Sequence, residues 1–391
     1  MDYTEIFTCG FSCKDVSMYS SNFQSNKKCL SGKEGTDKHA SSTTTTFSGT
    51  LSHIEAHKPA IVVLENVESI DAAPNRDSES EEEGEAKQTN LDNVIKELKK
   101  KGYAARAMLV DSRRVAKACQ KRRRFYFVGI REQPQRRRWR TGVSAQDMVD
   151  GICGDIGSFD KQHEPLPSII LEGSDPTVKM VLASDLRKKN KKEKAQALAK
   201  AKAQAKGQAT TKGGAIVDWP NQHQRFLAVK KRLPWPLMPS DKIRKSPWYK
   251  LLQPREREIV AYGEIKGWSV CDVSQTIARV PKSISLVHPT VTPGAKMWYF
   301  EEKRFLTGFE ACAIQQIPLD EIATPAELMK DFSHRDLQNL AGNAFTGGCI
   351  ALILCCMLKG IQYEPESEDD DEDSEQDLML QTVRAFGALS P

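Results

Sequence analysis

The chain has 391 residues, of which 39% are hydrophobic and 28% charged, with a formal net charge of +5. This length predicts two or three folding units with enough apolar residues for a core. No apolar run reaches the ~20 residues of a membrane helix, and the longest, Gly347–Leu358, predicts a buried core helix. The N-terminus lacks the pattern of a secretory signal, and the ten cysteines include no Cys-x-x-Cys pair. We therefore expect an intracellular protein in a reducing compartment, with no membrane partner.

Positive and negative charges are separated along the chain. Arg113–Arg140 holds twelve Lys/Arg against one acid, and Arg187–Lys206 holds nine against one, whereas Glu364–Asp377 holds ten acids and no base. Such a surface favours a polyanionic partner, most commonly nucleic acid. The alternative is solvated charge, with an acidic tail that screens the basic body. The run Arg187–Lys206 is also typical of a nuclear-import signal or a DNA-tethering arm, so we expect a nuclear protein.

Strand and helix signals alternate over the first 130 residues, which predicts an α/β layer with a mostly parallel sheet. Residues 10–49 predict a surface loop, and the acidic insertion Pro74–Gln88 predicts disorder. The predicted elements are a strand at Glu5–Cys9, a helix at Thr50–His57, a buried strand at Ala60–Leu64, a helix capped by Asn90 and ended by Gly102, and strands at Tyr103–Val110 and Arg124–Ile130.

The regular pattern is lost after Arg131, where the segments become short and irregular. Asp185–Gly214 is a low-complexity Lys/Ala/Gln stretch, which predicts either an isolated charged helix or disorder. Regular structure returns with a helix that opens at Pro325 and an apolar helix at Ala344–Leu358.

Two candidate reactive groups directly follow predicted strands. Cys13 lies in the loop after the first strand, and Glu65-Asn66-Val67 follows the buried strand Ala60–Leu64. Strand ends in α/β sheets are where ligands bind, so the thiol is a candidate nucleophile and the carboxyl group a candidate acid. The alternatives are a small buried cysteine and a polar residue that caps a turn.

Three further blocks carry groups suited to anions. In an extended segment, Gln120, Arg122 and Arg124 point to one face, where they could hold a carboxylate, a phosphate or a base carbonyl. The second block is Arg304–Glu310, followed by Gln315-Gln316-Ile317-Pro318. The third is Gly342-Asn343-Ala344, at the predicted start of the apolar helix, whose amides could hold an anion.

In this order, the five blocks resemble the DNA (cytosine-5) methyltransferase family. The resemblance implies a partial S-adenosylmethionine-dependent (Rossmann-like) α/β sheet with a separate, irregular target-recognition region. It implies a covalent adduct of Cys13 with carbon 6 of a cytosine flipped out of double-stranded DNA. The implied roles are catalytic for Cys13, Glu65, Arg122 and Arg124, substrate-binding for Asn66, Gln120 and Arg304, and S-adenosylmethionine-binding for Ser12, Asn343 and Ala344.

The resemblance also implies a domain organisation. Residues 1–130 would be part of the catalytic core, 131–297 the target-recognition region with the insertion 185–214, 298–362 the return to the core, and 363–391 an acidic disordered tail. No metal is expected, because the pair His53 and His57 lacks the spacing of a zinc helix and a third ligand.

The chain departs from the family pattern at two places. Ser12-Cys13-Lys14 replaces the usual Pro-Cys-Gln, and the glycine-rich cofactor motif that precedes the cysteine block in the family is not found. We therefore expect an N-terminally incomplete methyltransferase that binds S-adenosylmethionine poorly. Two alternatives stay open: an inactive nucleic-acid-binding module of the same descent, and a tRNA cytosine-5 methyltransferase.

Overall fold

The computed structural model describes residues 5–17, 30, 42–72, 89–135, 138–159, 168–205, 218–285 and 287–363. The chain divides into two compact units. The first comprises Met1–Lys117, Arg123–Gln162 and Gly347–Pro391, and the second comprises Ala118–Arg122 and His163–Thr346. The acidic insertion Pro74–Gln88 and the acidic tail after Tyr363 lie outside the described residues. The domain boundaries predicted from composition stay predictions.

Eight strands and thirteen α-helices are found in the described residues. The strands are β1 (Ile6–Gly10), β2 (Ile61–Val67), β3 (Tyr103–Asp111), β4 (Arg123–Arg131), β5 (Val270–Asp272), β6 (Lys282–Ser283), β7 (Met297–Tyr299) and β8 (Arg304–Phe305). The helices are α1 (Ser42–His57), α2 (Asn90–Lys100), α3 (Ser112–Val115), α4 (Ala145–Ser158), α5 (Pro176–Ala205), α6 (Trp219–Gln224), α7 (Asp241–Arg244), α8 (Pro254–Ile265), α9 (Gly308–Ile314), α10 (Leu319–Ile322), α11 (Pro325–Asp331), α12 (His334–Asn343) and α13 (Gly347–Gly360).

The sheet of the first unit has the strand order β1-β2-β4-β3. The pair β1 and β2 is parallel, whereas β4 is antiparallel to both β2 and β3. The predicted α/β sheet is therefore confirmed, but two of its three strand pairings are antiparallel, which corrects the mostly parallel expectation. The reversed strand arises because β3 and β4 are joined by the short segment 112–122, which includes α3, and not by a long crossover helix.

Both faces of this sheet are covered. On one face, Val62 and Leu64 of β2 join a buried cluster with Ile54 of α1 and Val94 and Leu98 of α2. Elsewhere on the sheet, α4 contacts β3 and β4, and α13 contacts α4. Residues 61–64 are all buried, as the continuous apolar run predicts for a strand covered on both sides.

Two helix starts differ from the predictions. The α1 helix begins at Ser42 and not at Thr50, since the Asp15 carboxylate accepts a 2.8 Å hydrogen bond from the Thr43 amide at its first turn. The N-cap of α2 is Thr89, which forms a capping box with Asp92, and not Asn90. Asn90 is buried, and its side-chain oxygen instead accepts from the Leu30 amide.

The second unit is more regular than predicted for residues 131–297. It contains an antiparallel sheet of order β6-β5-β7-β8, and α8 contributes Ile259, Val260 and Ala261 to a buried cluster. The low-complexity stretch forms most of the 30-residue helix α5, which resolves the choice between helix and disorder up to Ala205. Val178 and Val181, near the start of α5, enter the core.

The apolar C-terminal segment also differs from its prediction. Gly342 and Asn343 end α12, Ala344 caps it, and the apolar helix α13 begins only at Gly347. His334–Gly360 has the length and apolar composition of a membrane span, but residues 344–346 divide it into these two helices. In α13, Cys349, Ile353 and Met357 are buried, as the predicted core helix requires.

Candidate active site

Three strands of the first unit present polar residues at one edge of the sheet. In the parallel pairing of β1 and β2, Gly10 at the end of β1 lies beside Glu65. In the antiparallel pairing of β2 and β4, Val67 lies beside Arg124. Glu65 and Asn66 lie within β2 and not after it, because the strand continues to Val67. The loop that carries Cys13 therefore starts next to the Glu65 strand position.

The Cys13 loop is tied to β2 and to the residues that follow it. The Asn66 side-chain amide donates a 3.1 Å hydrogen bond to the Phe11 carbonyl, and Asn66 is buried. At the other end of the loop, the Ser69 hydroxyl donates a 2.5 Å bond to the Val16 carbonyl. Between these two anchors the Cys13 carbonyl accepts from the Ser17 amide at 2.9 Å. The two anchors hold both ends of the loop against the carboxyl end of β2.

The start of α1 holds the same loop from another side. The Ser12 amide donates to the Thr46 hydroxyl at 3.0 Å, and the Asp15 amide donates to the Thr43 hydroxyl at 3.1 Å. The Asp15 carboxylate returns a bond by accepting from the Thr43 amide. Sequence reasoning missed these threonines, although the run Ser42–Thr46 is a signal for hydroxyl groups at a helix start.

Cys13 differs from most cysteines of the described residues in its exposure. It is half-buried on a loop, whereas Cys119, Cys153, Cys271, Cys312, Cys349 and Cys356 are buried. Burial raises the pKa of the Cys153 thiol to about 11 and that of the Cys312 thiol to about 11. Those thiols stay protonated at neutral pH, and a protonated thiol is a poor nucleophile. Cys13 is thus placed where a ligand can approach it.

Glu65 and Arg124 form an ion pair across β2 and β4. The Arg124 Nε lies 3.0 Å from Glu65 Oε1, and the two side chains are only 14% and 12% exposed. The guanidinium also donates from Nη1 to the Arg123 carbonyl at 2.8 Å. A second pair at this edge, Arg123 and Glu68, is also 3.0 Å long but far more exposed. The less exposed pair fixes the direction of the Glu65 carboxylate.

Gln120 and Arg122 are placed differently from Arg124. Both precede β4 and belong to the second unit, where they are buried. The Gln120 amide donates to Gln315 Oε1 at 2.8 Å, and Arg122 donates to the carbonyls of Val291 at 3.2 Å and Ala344 at 2.8 Å. Regular strand alternation begins only at Arg123, so this rule does not by itself place Gln120 and Arg122 on the face of Arg124.

Arg304 is buried in a structural ion pair of the second unit. It and Glu310 are each 1% exposed, and Arg304 donates from Nη1 and Nη2 to the Glu310 carboxylate at 2.9 and 2.7 Å. The same carboxylate accepts from the amides of Leu171 and Thr307. This placement differs from the predicted substrate contact, because no part of the guanidinium is left at a surface.

The sequence profile of the C-5 cytosine-specific DNA methylase family matches residues 1–344. The chain belongs to this family. Among solved structures it is similar to the Dnmt2 methyltransferase of S. pombe, with 9% identity over 91% of this chain and 76% of that one, at a TM-score of 0.37. It is also similar to a DNMT2 mutant of Spodoptera frugiperda, with 13% identity over 90% and 79% of the two chains, at a TM-score of 0.37. No curated protein matches the chain.

Membership of the cytosine-5 methylase family confirms the recognised resemblance and the S-adenosylmethionine-dependent enzyme class. The assignment of S-adenosylmethionine binding to Ser12, Asn343 and Ala344 stays a prediction. The Ser12 hydroxyl bonds to the Ser42 hydroxyl, the Asn343 amide donates to the Asn339 carbonyl, and the Ala344 carbonyl accepts from Arg122. Each of these residues thus makes at least one hydrogen bond within the protein.

Close packing explains the glycine of the Gly342-Asn343-Ala344 block in this methyltransferase. A β-carbon built on Gly342 would lie 2.2 Å from the Pro293 backbone nitrogen, so only glycine allows this close approach. The block ends α12, where carbonyl groups and not amides are left over, which corrects the predicted anion site at a helix start. No group of three or more metal-ligating side chains is found in the residues that the structure describes.

Proposed function

We propose that this chain is a DNA cytosine-5 methyltransferase that acts through a covalent adduct with Cys13. One relationship carries the proposal: the loop of Cys13 is hydrogen-bonded to β2 directly beside the Glu65–Arg124 ion pair. A nucleophile, a carboxyl group and a guanidinium on three adjacent segments are the groups that activation of a cytosine ring requires. S-adenosylmethionine is the methyl donor that the family implies.

The reaction begins with the pyrimidine flipped out of its stack, because a base inside a duplex cannot offer carbon 6 to a protein thiol. The Cys13 thiolate supplies the electron pair of a new bond to carbon 6. The former C5=C6 pair then forms a C4=C5 bond, and the C4=N3 pair moves to ring nitrogen 3. That nitrogen takes a proton from Glu65, which enters this step as the carboxylic acid and leaves it as the carboxylate. Carbon 5 becomes the nucleophilic end of an enamine.

Arg124 acts on this step as the positioning partner of Glu65. Its guanidinium lies 3.0 Å from one oxygen of the Glu65 carboxyl group and restrains the direction of that group. Preorganised groups of this kind contribute about 3–4 kcal/mol each to transition-state stabilisation. Cys13, Glu65 and Arg124 account for the reaction up to the nucleophilic carbon 5, and S-adenosylmethionine would supply the methyl group.

The addition step is tested by exchange at carbon 5. Addition at carbon 6 makes carbon 5 basic, so tritium at that position of cytosine should be released to water without a methyl donor. We expect release with the full chain and duplex DNA, and none with Cys13→Ser. The matched control is Cys9→Ser, since Cys9 is a half-buried cysteine of the neighbouring strand. Release that persists in Cys13→Ser would overturn the proposal.

The nucleic-acid substrate is tested in the same assay. Duplex DNA and a folded tRNA, each tritiated at cytosine carbon 5, are compared at equal concentration, and we expect the faster release from DNA. Release from tRNA and not from DNA would mean that the substrate is tRNA. Salt-sensitive binding of both nucleic acids without tritium release would mean that the chain is a nucleic-acid-binding module without catalysis. Trapping on DNA that contains 5-fluorocytosine, with S-adenosylmethionine present, tests the complete reaction, because fluorine cannot leave as a proton.

We also propose that the protein is nuclear. The basic residues 187–194 form part of α5 and are mostly exposed, as recognition by an import receptor requires. A fluorescent fusion of the full chain should concentrate in the nucleus, and replacement of Lys188, Lys189, Lys191 and Lys192 by alanine should disperse it.

A further inference from the structure

The second unit contains a cleft that the proposed chemistry does not use. It has a volume of about 620 Å³ and lies between one face of α5 and the first turn of α12. Lys188 and Lys192 of α5 line it one helical turn apart, and Arg335 and Gln338 line it from α12. The cleft therefore combines a basic helix face with a helix N-terminus.

The acidic groups of the cleft are committed to other contacts. Asp336 accepts from the Ser333 amide and hydroxyl at 2.8 and 2.6 Å, and these bonds lower the pKa of its carboxyl group. Asp185 lies 3.2 Å from the His334 ring. Lys296, which also lines the cleft, pairs with the buried Glu256 at 2.6 Å.

Lys188 and Lys192 of α5 can contact an anion in the cleft. Both are exposed, and neither has an ion-pair partner among the described residues. Arg335 adds a third positive charge, although its donors point to the carbonyls of Gly294 and Ala295. The cleft is thus net positive and suited to an anion.

Gln338 supplies an independent sign of a ligand. Its side chain is 2% exposed, and its oxygen accepts a long 3.5 Å bond from Arg335. Its amide nitrogen has no acceptor among the described residues, and the residue lines the cleft. An oxyanion in the cleft would accept a hydrogen bond from this amide.

The remaining wall is apolar. Leu251, Phe305 and Leu306 also line the cleft. An inorganic anion would leave this wall in water, whereas a nucleobase or sugar would cover it. We propose that the cleft binds a nucleotide, with its phosphate between Lys188, Lys192 and Gln338 and its base or sugar against Phe305. The nucleotide is either part of a nucleic acid strand or free in solution.

Binding to the full chain is measured by fluorescence anisotropy with a labelled single-stranded oligonucleotide, and by calorimetry with AMP. The test variant is Lys188→Ala/Lys192→Ala. The matched control is Lys191→Ala/Lys194→Ala, which removes the same charge from exposed positions of α5 that do not line the cleft. Gln338→Met removes the buried donor at similar volume, and its thermal unfolding is compared with that of the parent chain.

We expect the Lys188/Lys192 variant to weaken binding about tenfold and to reduce the salt slope by about two. The control should stay within about twofold, and Gln338→Met should weaken binding without changing the salt slope. Competition by millimolar AMP identifies a free nucleotide as the ligand, and binding of the oligonucleotide without such competition identifies a strand.

Equal losses in the two lysine pairs, with no effect of Gln338→Met, would overturn the proposal and leave α5 as a diffuse basic surface. The proposal does not depend on the reaction at Cys13. We expect the Cys13→Ser chain to bind the oligonucleotide through the cleft. This result would support the cleft proposal even if the proposed reaction at Cys13 fails.

Discussion

Asn66 of β2 donates a hydrogen bond to the carbonyl of Phe11, two residues before Cys13. The Asn66 oxygen in turn accepts from the Val67 amide at 2.8 Å, so the side chain is oriented by its own strand. Asn66 therefore fixes the loop that carries the nucleophile relative to β2. Its role is positional, because a buried amide held by two backbone groups has little freedom to meet a substrate.

Asn66→Ala should loosen the Cys13 loop. Loss of the amide leaves the Phe11 carbonyl without this donor and costs about 1–3 kcal/mol of stability. We expect the rate of tritium release to fall by about tenfold or more, since small displacements of reacting groups are costly. Chemical denaturation and the release assay measure the two effects. The control is Asn93→Ala, a buried asparagine of α2 with no side-chain bond to the loop. A normal rate in Asn66→Ala would show that the loop is held without this bond.

A double-mutant cycle on Glu65 and Arg124 should show strong coupling. The pair is 3.0 Å long and little exposed, so removal of one partner leaves a largely desolvated charge. We expect Glu65→Gln and Arg124→Met each to lose on the order of 3 kcal/mol of stability, with the double variant losing less than their sum. The same cycle on Glu68 and Arg123, whose side chains are each 41% exposed, should give a coupling of about 1 kcal/mol or less. Equal couplings would mean that burial does not distinguish the two pairs.

Arg304→Gln should act on folding and not on substrate affinity. Its ion pair with Glu310 is fully buried, and breaking such a pair costs about 3–5 kcal/mol. We expect a lower unfolding midpoint for Arg304→Gln and Glu310→Gln, and unchanged oligonucleotide affinity at temperatures where the variants stay folded. A selective loss of affinity in a stably folded Arg304→Gln chain would restore the substrate role that the family resemblance implies.

Sequence patterns predicted the elements whose signals are local. The apolar run Ala60–Leu64 and the strands around β3 and β4 lie within a few residues of their predicted bounds. Predictions failed where a distant residue decides the outcome. Asp15 contacts the first turn of α1, and Arg122 donates to the carbonyls of Val291 and Ala344, which lie 169 and 222 residues further along the chain. The types of residue in the candidate site could be predicted from the sequence. The residue at which β4 begins, Arg123, could not, because a strand pattern does not mark its own first residue.

S-adenosylmethionine should bind this chain weakly. The Gly-x-Gly motif that the family resemblance assigns to the cofactor does not occur in the 391 residues, and Ser12, Asn343 and Ala344 each form a hydrogen bond within the protein. Calorimetry with the full chain should give a dissociation constant above about 1 mM, which corresponds to less than about 4 kcal/mol of binding free energy. The control is the Asn343→Ala chain, whose affinity should equal that of the parent. A micromolar dissociation constant would show that other residues form the cofactor site.

His288 should make stability depend on pH. It is fully buried in the second unit, and burial lowers the pKa of its ring from 6.5 to about 4. Between these two values the unfolded chain binds a proton that the folded chain does not, so stability rises with pH through this window and is lost as pH falls through it. The shift corresponds to about 3 kcal/mol between pH 7 and pH 4. Denaturation at pH 7, 6 and 5 should show this slope, and His288→Gln should remove it. The same slope in both chains would assign the pH dependence to other groups.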